Sequence, residues 1–300
     1  MIDAPTPPFR STRLATVDDS RNPPVAAAYH DRIAELTVAA MDSESLRRAH
    51  GRLARELAVR GGDPESVAYH FDRAEHAEEA AEWSERAARR AETALAWERA
   101  AQLFERAIEI RLDRNESVAS LQIARGDALA HSGRSAEAVS AFRAALSAAR
   151  RREVVVPEED LLRRIAEQLL RSGRMKDGIR ALDRCLQLQG LRFPRHPAEA
   201  LATMIALRTK LRVRGLDFEP AREAEIAPRT LQRIDTCWSA GVGLSFVDSL
   251  RGAGFLTRSL LDALDAGEPY RVSRSLAYEA SFLAHQGSAV TAATVRRAPI

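Results

Sequence analysis

Residues 124–146 read "ARGDALAHSGRSAEAVSAFRAAL", and residues 164–186 read "RIAEQLLRSGRMKDGIRALDRCL". Adding 40 to each of Gly126, Leu129, Gly133, Ala138, Phe142 and Ala145 gives Ala166, Leu169, Gly173, Gly178, Leu182 and Cys185. Small residues return at the positions where two helices touch, and large apolar ones return where they fill the gap. "HSGR" and "RSGR" mark the same turn, where glycine takes the left-handed conformation that ends a helix. An earlier run, "ERAAQLFERAIEI", repeats a small-large-small triplet at Ala100, Phe104 and Ala107.

Outward from this repeat the apolar period stays near 3.6. Helices are expected at about 65–75, 77–91, 95–112, 117–132, 135–150, 159–172, 175–189, 197–214, 228–247, 249–266 and 270–286. Before them the pattern is helical from Tyr29 (Ile33, Leu36, Ala40, then Leu46, Leu53, Leu57), with Asp42 or Ser43 as a cap. "RGGDP" at 60–64 stops one helix and starts the next. Residues 1–28 hold Pro5, Pro7, Pro8, Pro23 and Pro24 and little periodicity, so they read as irregular. No period-two alternation announces a strand. Helix, short loop, helix, repeated, predicts an all-α, right-handed solenoid of antiparallel hairpins. Repeats fill 29–190, further hairpins 191–288, and an irregular tail 289–300, where "GSAVTAATVRRAPI" loses its apolar face.

The chain has 300 residues, a net charge of +3 and 5% aromatics. Apart from Lys176 and Lys210, every basic side chain other than histidine is arginine. Acidic residues interleave with them, which disfavours nucleic acid as a partner. The Arg clusters in "AARRAE", "AARRRE" and "TKLRVRG" sit at or near helix ends, where cations suit the dipole. Cys185 and Cys237 read as buried free thiols of a reducing compartment, and no apolar run is long enough to span a bilayer. A cytoplasmic location is expected.

The chemistry-bearing patterns are few. The seven histidines (30, 50, 70, 76, 131, 196, 285) form no HExxH, and the two cysteines form no CxxC, so no metal or other cofactor is expected. There is no GxSxG. "GVGLS" at 241–245 and "RGAGF" at 251–255 read as small-residue helix contacts. Trp83, Trp97 and Trp238 read as core. No catalytic residue is assigned.

Gly126, Leu129, Ala138, Phe142 and Ala145 resemble the tetratricopeptide repeat, whose first helix carries a glycine and a large residue three on, and whose second carries alanine, an aromatic and alanine. Gln122 and Arg125 stand where that family has tryptophan and leucine, and 40 exceeds its usual period. A wider resemblance covers residues 25–288. "YHDRIAELTV" (29–38), "LRRAHGRLARELA" (46–58) and the runs beginning "GDPESVAYHFDRAEH" (62–76) and "RIDTCWSAGVGL" (233–244) are similar to the helical region after the nucleotide domain of large bacterial signalling ATPases, often fused to serine/threonine kinase domains.

The resemblance implies that 1–28 is the remnant of a winged-helix-like element. It makes His30 and Asp31 a vestigial match to a nucleotide-sensing pair. No phosphate loop, HRD or DFG is present, so a helical arm without its engine is expected. The reading is therefore a non-enzymatic interaction and regulatory arm, with a protein or peptide in its concave groove and no membrane contact. Two alternatives stand beside it: a truncated or split part of a kinase–ATPase, and a DNA-associated regulator.

Overall fold

A computed structural model describes residues 9–11, 15–18, 25–28, 38–152, 156–245 and 247–285. The chain divides into two compact units, 1–118 and 119–300.

In the first unit, α1 (Ser43–Val59), α2 (Pro64–Arg73), α3 (Ala77–Thr93) and α4 (Trp97–Asp113) pack in sequence, each on the next. The starts of α1 and α2 follow from their caps. Asp42 accepts from the Ser45 amide at 2.8 Å, and Asp63 from the Ser66 amide at 3.0 Å, with Pro64 at the first helical position where its missing N–H costs nothing. Ala54, Val67, Phe71, Ala80, Ala81 and Ile110 form the buried core.

The segment expected to be irregular contains three short strands, β1 (Phe9–Ser11), β2 (Ala15–Asp18) and β3 (Val25–Ala28), paired antiparallel in that order. Strands of three or four residues between prolines are too short to display a period of two. Trp83 packs partly buried against the helical core, with the Arg86 guanidinium 4.6 Å from its ring centroid.

In the second unit, α5 (Ala119–His131) packs on α6 (Ser135–Arg150), α6 on α7 (Glu158–Arg171), and α7 on α8 (Met175–Leu188). Next, α9 (Pro197–Arg214) packs on α11 (Ser249–Ala266), while α10 (Pro228–Leu244) returns to α7 and α8 and also packs on α11. Last, α12 (Pro269–His285) packs on α11. Among the repeat positions the two turn glycines, Gly133 and Gly173, are exposed. Leu129, Ala138, Phe142, Ala145, Leu169, Leu182 and Cys185 are all buried. A Cβ at Gly126 would stand 2.5–2.9 Å from three atoms of the Phe142 ring, and one at Gly178 would stand 2.8 Å from Leu170 Cγ. Glycine is the residue that lets these helices approach.

The turns share one backbone device. Gly133 (φ 81°) and Gly173 (φ 77°) are left-handed, as is Gly61 (φ 70°). So are Glu75, Leu95 and Asn115 in the first unit, at φ of 56–59°. Positions 75, 95 and 115 lie at equal intervals, and 75 to 115 is the same span as 133 to 173. The reversal recurs with the 40-residue period even where no glycine advertises it.

Candidate functional site

The helix α10 buries Ile234, Cys237, Gly241 and Leu244, a stripe at spacings of three and four. Trp238 and Val242 stand one residue later, on the neighbouring column. They therefore lie about 100° round the helix from the buried stripe. Trp238 is half-buried and Val242 is 40% exposed. Together with Leu170, Met175 and Val247 they wall a cleft of about 520 Å³ between α7 and α10, with Gly173 and Gly243 in its lining and Glu167, Arg171 and Ser239 as its polar groups. The volume falls within the range of ligand-sized clefts.

The tryptophan wall is held from behind. Arg274 on α12 lies 4.9 Å from the Trp238 ring centroid and 5.4 Å from that of Tyr270. The Arg274 guanidinium donates to Asp235, which also accepts from Arg271 at 2.9 and 3.0 Å. Tyr278 meets Trp238 edge-on at 6.2 Å, and its hydroxyl lies 3.0 Å from Ser245 Oγ. Cation–π and edge contacts brace the indole. On the α7 side, Arg163 donates to Ser239 Oγ at 3.4 Å and to Asp160 at 2.7 Å.

The expectation that Trp238 is core is corrected here: the ring lines an open cleft. The sequence signal was its place one residue off the buried stripe.

A second cluster lies in the first unit. His50 on α1 and His70 on α2 bring their Nδ1 atoms to 2.8 Å, with ring centroids 5.0 Å apart. Tyr69 stands edge-on to both, at 6.1 and 5.2 Å. One Nδ1 must donate and the other accept, so the pair holds a single proton between them. Burial holds both histidines below their usual pKa, with Arg73 adding to the effect on His50 and His50 adding to it on His70. A histidine whose pKa is depressed on folding contributes stability that is complete above about pH 6.5 and is lost as pH falls below it. The urea midpoint of the wild type should therefore drop between pH 7 and pH 5.5 more steeply than that of His70→Phe. Equal slopes would show that the pair carries no linkage. The two histidines sit on either side of the Gly61 turn, and only the antiparallel register makes them neighbours.

Among the described residues no group of three or more His, Cys, Asp or Glu side chains is placed to hold a metal. Burial raises the Cys185 thiol to about 11 and the Cys237 thiol to about 12, which leaves both protonated and unreactive at neutral pH. Gly241 and Gly252 make the close contacts expected of them, against Leu256 and the Gly241 carbonyl respectively, whereas Gly254 has nothing within 4 Å. His30 and Asp31 lie outside the described residues. Among those residues no helix is long and apolar enough to cross a membrane. No protein-family model matches the chain, and no curated protein is similar to it in sequence.

Proposed function

We propose that this chain is a non-enzymatic interaction arm, a right-handed solenoid of tetratricopeptide-like hairpins within each unit. Its second unit binds a protein segment in the Trp238 cleft. The observation that carries this reading is an apolar cleft with a braced tryptophan wall and polar groups at Glu167 and Arg171. Rigid aromatic anchors in a pocket surrounded by polar groups dominate the energetics of protein recognition. The occupant is a partner segment that places one large apolar side chain against Trp238 and Val242. An acidic and a basic residue beside it would face Arg171 and Glu167. By the resemblance along 25–288, such an arm would report partner binding to an ATPase or kinase domain.

The test is a selection of peptides on the full chain from a random display library, followed by affinity measurement. Val242→Arg and Trp238→Ala should each weaken the selected peptides at least about tenfold, a common cost at an interface hot spot. Retained affinity in Val242→Arg, with an unchanged melting temperature, would remove the cleft from the reading.

A further inference from the structure

Three arginines of α1, Arg48, Arg52 and Arg55, recur at spacings of four and three, so their side chains share one face. They line a cleft bounded by α1 and the turn between α2 and α3, together with Arg47, Glu75 and His76. The charges are unequally matched. Arg47 is engaged, donating to Glu44 and to Glu75, the latter at 2.7 Å. Arg48 stands 3.9 Å from Glu44 and is mostly exposed. Among the described residues no carboxylate pairs with Arg52 or Arg55, and both are exposed.

The floor of the cleft adds a second observation. Gly51 is buried in the middle of α1. A Cβ there would lie 3.5 Å from Ala74 Cβ and 3.7 Å from His76 Nε2, which are ordinary van der Waals separations. Packing between α1 and the turn therefore does not require glycine, and a glycine inside a helix is less stable than alanine. What glycine supplies is a floor without a side chain, at which the backbone of α1 meets Ala74 and the His76 ring edge beneath the arginines. A local rule broken without structural need marks a functional position.

We infer that this face binds an acidic segment of a protein partner. Carboxylates would pair with Arg48, Arg52 and Arg55, and the segment would lie over Gly51. The stripe rises about 6 Å from Arg48 to Arg52 and about 4.5 Å from Arg52 to Arg55, and alternate residues of an extended chain stand about 6.6 Å apart, so Asp or Glu at alternate positions comes within reach of the long arginine side chains. Glu44 and Glu75 flank the stripe. They oppose a continuous phosphate backbone and tolerate a short set of discrete carboxylates, each of which a guanidinium fork can hold. The proposal does not rest on the Trp238 cleft, which lies in the other unit, and the two fail separately.

The experiment uses the full chain, with fluorescence anisotropy at low salt. The probes are a labelled peptide of alternating Glu and Ser, its Lys counterpart and an oligo-dT of equal charge. The Glu peptide should bind, with affinity falling at least about tenfold in Arg52→Glu/Arg55→Glu and falling with added salt. Arg52→Lys/Arg55→Lys should keep part of it. Gly51→Ala should weaken the peptide while leaving the melting temperature equal or higher. The same variants leave the Trp238 peptides unaffected. Failure of the Glu peptide to bind, an unchanged affinity on charge reversal, or tighter binding of oligo-dT would overturn the proposal.

Discussion

Replacing Phe142 with alanine should lower the unfolding free energy by about 3–5 kcal/mol, the usual cost of removing a buried aromatic ring. Phe142 is 1% exposed. Its ring occupies the space that Gly126 leaves on the facing helix, and the Arg164 guanidinium lies 5.9 Å from its centroid. A residue beside glycine has no side chain opposite with which to close the void, so little of the cavity collapses. Urea unfolding followed by circular dichroism measures the loss. Phe142→Leu should lose much less, since most of the volume remains. A loss below about 1 kcal/mol for the alanine variant would mean that the ring is not a core element and that the 40-residue register is misplaced.

The second large effect is expected at Gly267. This residue ends α11 at φ 77°, donates to the Ala263 carbonyl at 2.8 Å, and accepts from the Ala221 amide at 2.9 Å. A Cβ there would overlap the Glu219 carbonyl oxygen. Two costs combine in Gly267→Ala. A left-handed backbone disfavours alanine by about 1 kcal/mol. Overlap with a backbone atom, which cannot swing aside as a side chain can, adds about 2 kcal/mol. The sum is about 3 kcal/mol, read as a lower urea midpoint. Gly133→Ala is the internal control. It has the same handedness, at φ 81°, but nothing within 4 Å of the new methyl, so only the first cost applies. Equal losses in the two variants would show that the Glu219 contact does not matter.

These two sites also show what the sequence makes legible. Helix spans came within a few residues of the observed ones because apolar spacing, Asp63-Pro64 and the glycine turns act locally. The turns at Glu75, Leu95 and Asn115 were hidden because a left-handed conformation in a non-glycine residue leaves no compositional mark. The strands at 9–28 were hidden by their shortness. The histidine pair needed the hairpin register, since residues 50 and 70 share no motif. Trp238 was misassigned because large aromatics are interior on average, and only the neighbouring buried stripe reveals its offset. The arginines of α1 belong to no motif in the sequence. The missing partners of Arg52 and Arg55, and the idle Gly51, emerge only once the neighbouring turn is in place.

The return of α10 to α7, past the intervening α9, has a consequence for how the chain acquires its structure. In the first unit the principal helix contacts join consecutive helices, so each ordered step closes only a short stretch of chain. Such a unit has low contact order and can assemble hairpin by hairpin as it leaves the ribosome. The second unit cannot finish that way. Residues 172–227 must be spanned before α10 finds α7, and the entropy of closing that long stretch comes before any reward. The wall of the Trp238 cleft is thus a late product of folding, while the arginine face of α1 can exist early.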